Sequence, residues 1–270
     1  MPSGNGSLEM TDDGEGIGVA IRKIDAREAD EAAPGAAAKA VLNVAAARGK
    51  TRGVVLVLHG GRANSYESVQ GRHLSPARML PFAQTLRAKG APQGLAVWTL
   101  RNRYRGWNGA DMSPVQDARW ALSHIRQDHP DLPVYLLGHS MGGLTALCVA
   151  DDPQVRAVVA LAPWLNPATP AERVAGRRVL IVHGTEDRWT SPTNSLAYAR
   201  RAQRIAESMD YVSLRGAGHF MVRRLGLWNA LATGYILDSF AVDSGTAASR
   251  SARAFRDLLP VTGAGLPVVL

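Results

Sequence analysis

Apolar residues in this chain fall into short unbroken runs, separated by longer stretches in which they recur every three or four positions. The runs at 52–59, 95–100, 134–137, 155–162 and 178–183 place Val, Leu, Ile and Ala on consecutive positions. A strand buried on both faces of a parallel sheet has that pattern. Between the runs, 76–89 carries Met79, Leu80, Ala83 and Leu86 at helical spacing, with Gly90 as its stop, and 114–128 carries Val115, Ala118, Leu122 and Ile125 on one face. Further helices are predicted at 144–150, at 192–209 through Leu196, Ala199, Ala202, Ile205 and Met209, at 220–240, and in the basic stretch 247–259. A first strand is predicted at 17–24 and a last one at 210–215, whereas the Ala-rich segment up to Ala47 takes no assignable state and 260–270 suggests no role. Strands alternating with helices predict an α/β domain, with a mostly parallel central sheet and helices on both faces. The 15 residues between the runs ending at 162 and beginning at 178 are too few for a helical cap domain, so an open site is expected.

Composition narrows the class. At 270 residues and 46% hydrophobic, the chain can bury one substantial core. The expected division is an unstructured tail over 1–16, one domain over 17–240 and an extension over 241–270. The start of the chain has neither the basic end nor the apolar centre of a signal peptide, and no apolar run reaches membrane-span length. Cys148 is the only cysteine. A cytoplasmic protein without disulfides is the expectation. The net charge of +8 comes from arginines spread along the chain, without the basic runs interleaved with aromatics that nucleic-acid binding requires. An acidic carrier protein remains as a partner that this charge would suit. His124 and His129 have no third ligand nearby, so neither a metal nor another cofactor is expected. Arg101, Arg103 and Arg105 follow a strand end where ligands gather, but Asp111 and Asp117 lie close enough in sequence to pair with them, which favours a structural role.

The chemistry concentrates after the run at 134–137, which leads into Gly138-His-Ser-Met-Gly142 and then a helix. A strand turning that sharply into a helix leaves no room for flanking side chains, and it holds the central Ser140 exposed as a nucleophile. Acyl transfer also needs two backbone N–H groups aimed at the oxygen that becomes negative. Met141, following Ser140, supplies one. His59-Gly-Gly61-Arg62, after an earlier strand, supplies the other from Gly61 or Arg62. Glu186 and Asp187 both follow the run at 178–183, where a carboxylate could orient an imidazole. His219, in a glycine-rich loop after the last strand, can reach over the sheet edge as general base.

Together, Leu58-His-Gly-Gly61, Gly138-His-Ser-Met-Gly142, Gly184-Thr-Glu-Asp187 with Pro192, and Gly216-Ala-Gly-His219 resemble the α/β-hydrolase superfamily, over about 53–240. The resemblance implies the α/β-hydrolase fold with minimal or no cap, Ser140 as nucleophile, His219 as base, Asp187 rather than Glu186 as its acid, and an oxyanion hole from Met141 with Gly61 or Arg62. The nearest look-alikes are small, nearly lidless esterases of the dienelactone-hydrolase and lysophospholipase sort. It implies cleavage of a small-molecule ester or acyl substrate without a cofactor; in the open site expected from the loop lengths, Trp164 and Trp189 are the residues placed to narrow the pocket. Two alternatives stand beside that reading. One is an acyltransferase or carrier-linked thioesterase using the same groups, and the other a non-catalytic ligand-binding protein on the same fold.

Overall fold

A computed structural model of the chain describes residues 8–9, 21–26, 38–259 and 266–270. Its strands are β1 (Leu8–Glu9), β2 (Ile21–Asp25), β3 (Val41–Ala45), β4 (Gly53–Leu58), β5 (Leu95–Arg101), β6 (Val134–His139), β7 (Val155–Leu161), β8 (Arg178–Gly184), β9 (Ser208–Leu214) and β10 (Val268–Val269). They form one sheet in the order β1-β2-β3-β5-β4-β6-β7-β8-β9-β10. From β5 to β10 every neighbouring pair is parallel, and β1, β2 and β3 add an antiparallel edge. The helices are α1 (Leu74–Ala77), α2 (Leu80–Gly90), α3 (Ser113–Asp128), α4 (Met141–Cys148), α5 (Pro192–Ala202), α6 (Leu225–Ser244) and α7 (Arg250–Leu258). None of the described helices is long and apolar enough to cross a membrane.

Period-two alternation sorts each strand between two cores. Along β4, Val54, Leu56 and Leu58 pack with α3, α4 and α5, whereas Val55 and Val57 pack with α2, α6 and α7. Both faces are therefore covered, which is why the strands read as continuous apolar runs rather than as alternating ones. Each fully buried Leu, Val or Phe side chain contributes roughly 1.5–3 kcal/mol, so the sheet is a rigid platform for loops at its carboxyl edge. The strand order reverses at β4, which has β5 on one side and β6 on the other. Ligands gather at the carboxyl ends of strands beside such a reversal.

Several boundaries differ from the sequence pattern, each for a local reason. The single helix expected at 76–89 is split into α1 and α2. Pro81 has no N–H to donate, and its ring would clash with the carbonyl four residues back in a continuous helix. At its other end α2 stops at Gly90, as expected; a 3-10 turn follows, and Gly94, at φ +100°, ends that turn. The helix expected through Met209 stops at Ala202, because Met209 is taken into the β8–β9 ladder opposite Val179. The long helix begins at Leu225 rather than Phe220, since Met221 and Arg224 have φ of 59° and 60° and cannot continue a helix. The helix after Ser140 begins at Met141, three residues earlier than its apolar run.

The unassigned Ala-rich stretch contains β3, and the featureless terminus contains β10, paired with β9. Of the expected first strand, 17–20 lie outside the described residues and the rest is in β2. Within the tail expected to be unstructured, Leu8 and Glu9 pair with β2; the remainder lies outside the described residues. The boundary placed at 240 falls inside α6, and α7 buries Ala252 and Phe255 against the same core.

Candidate active site

The elbow is built by exclusion. A Cβ on Gly138 would meet the Gly142 carbonyl oxygen at 2.1 Å, and one on Gly142 would meet the Leu58 carbonyl oxygen at 2.4 Å. Only glycines allow β6 to fold back into α4 so close to β4. Ser140 between them is held at φ 56°, ψ −119°, a left-handed conformation that side chains rarely adopt.

Two loops then extend a hydrogen-bonded series from its hydroxyl. His219, following β9, places Nε2 3.0 Å from Ser140 Oγ and Nδ1 2.8 Å from Asp187 Oδ2, the carboxylate following β8. Glu186 is turned away and pairs with Arg223. Asp187 accepts five hydrogen bonds. The backbone N–H groups of Trp189 and Thr190 reach Oδ1, and the Thr190 hydroxyl, His219 Nδ1 and His183 Nε2 reach Oδ2, the last at 3.2 Å. Burial pushes the Asp187 pKa up, but the hydrogen bonds from His183, His219 and the Thr190 amide outweigh it and hold the group well below the usual carboxylate range.

Three further histidines, none assigned a role of its own from sequence, hold this geometry. His183 donates Nε2–H to Asp187 and accepts the Ser195 hydroxyl on Nδ1 at 2.9 Å; burial lowers its pKa. His139 donates Nε2–H to the carbonyl oxygen of His219 at 2.9 Å, tying the elbow to the histidine loop. His59 accepts the Asn102 N–H on Nε2 and so donates Nδ1–H to the Gly60 carbonyl at 2.6 Å. In a trans peptide C=O and N–H point in opposite directions, so that bond fixes where the Gly61 N–H points. In the sequence, the only trace of these histidines is a polar residue closing a fully buried apolar run.

Burial pushes the pKa of His59 down to about 4 and that of His139 to about 3. In the unfolded chain both take up a proton near the ordinary histidine value of about 6.5. The unfolded state therefore binds more protons below that pH, and stability falls as pH drops towards 4, by up to about 1.4 kcal/mol per pH unit for each ring. Asp117 and Asp210, raised by burial, act in the opposite direction. Urea unfolding at pH 7 and pH 5 is expected to show a loss of several kcal/mol; equal stability at the two would contradict neutral buried rings.

The two amides expected as alternatives for the oxyanion hole differ in their hydrogen bonding. Arg62 donates its N–H to the Arg105 carbonyl at 2.8 Å, a loop-to-loop bond, so that amide is already engaged. Gly61 remains. Met141 is the first residue of α4, where no intrahelical acceptor exists for its N–H. A Cβ at position 61 would come within 2.4 Å of both the Arg105 carbonyl oxygen and Met141 Cε. Gly61→Ala should thus displace the loop and lower kcat about 10²- to 10³-fold, the usual loss of one oxyanion donor. Unchanged kcat in a folded variant would remove Gly61 from the hole.

Ser140, His219 and Gly61 open into a cleft of about 700 Å³, also lined by Trp164 and Trp189. Trp164 is tied to the elbow by its N–H on the Ser140 carbonyl at 3.1 Å. Trp189 is 72% exposed, with its ring 6.4 Å from that of His219. Between β7 and β8 the only regular structure is one 3-10 turn, Glu172–Val174, so this connection carries no helical cap domain. The strand-end arginines do bind locally. Arg103 pairs with Asp117 at 2.6 Å, Arg105 with Glu67 and Arg101 with the Val69 carbonyl, while Asp111 accepts from Tyr66 instead. Cys148 is half-buried, its thiol pushed up to about 11 by burial. His124 and His129 pack edge-on against Trp120 and Trp98.

Residues 49–179, which include Gly61 and Ser140 but end before Asp187 and His219, match the family described as serine aminopeptidase, S33. A monoacylglycerol lipase of Mycolicibacterium smegmatis is 35% identical over 99 residues, spanning 34% of this chain and 30% of that protein. Among solved structures, a thermophilic esterase, Est2, from Thermogutta terrifontis superposes with a TM-score of 0.57 at 18% identity, covering 78% of this chain and 90% of the other. A Xanthomonas campestris α/β serine hydrolase without a lid gives 0.52 at 18% identity, with coverages of 73% and 88%. At these identities the superpositions establish the fold.

Proposed function

We propose, because this chain belongs to the α/β serine hydrolase superfamily, that it hydrolyses carboxylic esters through an acyl-enzyme formed on Ser140. The observation that carries this reading is the hydrogen-bonded series Ser140 Oγ, His219, Asp187, with spacings of 3.0 and 2.8 Å, opening on a cleft beside two backbone N–H donors. His219 donates Nδ1–H to an ionised Asp187, which leaves the Nε2 lone pair facing the Ser140 hydroxyl. As Oγ attacks the ester carbonyl, its proton passes to Nε2, Asp187 stabilises the imidazolium, and the N–H groups of Met141 and Gly61 bind the oxyanion. His219 returns the proton to the departing alcohol. Water then enters by the same route and releases the acid.

The monoacylglycerol lipase and the esterase among the relatives act on esters, in keeping with this reading. The acyltransferase and carrier-linked alternatives use the same first half-reaction and differ only in what accepts the acyl group. The binding-protein alternative has no use for an ionised carboxylate held by five donors behind a histidine. Labelling with a fluorophosphonate, which needs an activated serine, tests the proposal. It should modify the Ser140 peptide of the wild type and leave Ser140→Ala untouched. A folded protein that takes no label would contradict it.

A further inference from the structure

We propose that the cleft selects esters carrying a carboxylate on the acyl or alcohol part, and that Arg78 binds that carboxylate. The inference builds on the ester-hydrolase reading and adds its substrate class. Among the described residues the cleft lining contributes four arginines, Arg62, Arg72, Arg78 and Arg105, and no Asp or Glu. Arg105 is neutralised by Glu67, and Arg103 behind it by Asp117. Arg78 differs from both. It is half-buried, and among the described residues its side chain has neither an ion pair nor a hydrogen bond. Its guanidinium instead lies over the Phe220 ring, 4.7 Å from the centroid.

Burial lowers the Arg78 pKa, so the charge is held where water solvates it poorly. A partly desolvated cation without a counter-ion is costly, and an anion entering the cleft would relieve that cost. The geometry suits a carboxylate. A guanidinium held over an aromatic ring makes no hydrogen bond to it, which leaves N–H groups for a planar, two-oxygen partner. One guanidinium fork matches one carboxylate. Arg62 and Arg72, exposed on the same wall, add positive potential that draws anions towards it.

The position relates to the chemistry as well. Phe220 lies 5.3 Å, ring to ring, from His219, so Arg78 sits one aromatic ring from the base, and its charge is felt at His139. The residue is placed there by the break between α1 and α2, where Arg78 is the last cap of the first helix. A carboxylate bound at Arg78 would therefore be linked to an ester carbonyl at Ser140 by a short spacer.

Two measurements test this, one of which needs no turnover. With Ser140→Ala, binding of monomethyl glutarate and dimethyl glutarate is followed by tryptophan fluorescence, Trp164 and Trp189 being in the cleft wall. The monoanion is expected to bind about tenfold to a hundredfold more tightly, as one charge-assisted pair allows. With the catalytically intact protein, kcat/KM for the p-nitrophenyl hemiester of glutarate should exceed that for p-nitrophenyl valerate by a similar factor. Arg78→Gln should collapse both ratios, Arg78→Lys should keep part of each, and Arg78→Glu should turn the preference towards a cationic ester. Equal binding of the two glutarates, or ratios that survive Arg78→Gln in a variant with unaltered melting temperature, would overturn the proposal while leaving ester hydrolysis standing. Retained binding preference with no ester turned over would uphold the anion site and overturn the hydrolase reading.

Discussion

Ser140→Ala is expected to lower kcat on an activated ester by roughly 10⁶-fold, the scale of losing a serine nucleophile outright. The fold should be unaffected. Alanine keeps the Cβ that already occupies the elbow, so the left-handed backbone at φ 56° is no more strained than before. The neighbouring glycines that admit the turn are untouched, and among the described residues the hydroxyl bonds only the loop of His219. Loss of activity with an unshifted melting temperature would therefore report chemistry and not packing. A variant that keeps a tenth or more of the wild-type rate would mean that the ester carbonyl is attacked by something else, such as a water activated by His219.

Asp187→Asn should cost about 10⁴-fold in kcat, and for a different reason. An asparagine side chain is nearly isosteric, but one of its two terminal atoms is an NH₂ donor. Oδ1 accepts from two backbone N–H groups, so the carbonyl oxygen is required there, and the NH₂ is left facing His219 Nδ1 and His183 Nε2. His219 must then accept on Nδ1, which puts its proton on Nε2 and aims it at Ser140. The base becomes blocked by its own hydrogen. The same substitution sets a second donor against His183, so a loss of stability should accompany the loss of rate, which distinguishes Asp187 from Ser140. Measuring kcat and the urea midpoint together checks both parts. A rate within tenfold of wild type would remove Asp187 from the mechanism.

How much of this could be read from residues alone depended on where the information is local. Runs such as 52–59 and 178–183 reveal strands because burial on both faces leaves no polar position to confuse the pattern. Gly138, Ser140 and Gly142 are similarly legible because the steric demand of the elbow falls on adjacent residues. By contrast, β3 sits in an alanine-rich stretch whose pattern suits helix as well as strand. Its state is set by pairing with β2 and β5, which are distant in sequence. Helical spacing carries α5 too far, because Ile205 and Met209 fit it while the β8–β9 ladder claims Met209. In the site, what distinguishes the Gly61 and Arg62 amides is a hydrogen bond from Arg62 to Arg105, 43 positions away in the chain. Arg78 was hidden for the same reason, since what marks it is the carboxylate that its surroundings do not provide.

The most direct test of the central claim is to quench the protein during turnover of p-nitrophenyl acetate and examine its peptides by mass spectrometry. The account predicts one acetyl group on the peptide containing Ser140, formed at the rate of a p-nitrophenol burst and absent from Ser140→Ala. Steady hydrolysis with Ser140 unmodified at every quench time, and no burst, would contradict it.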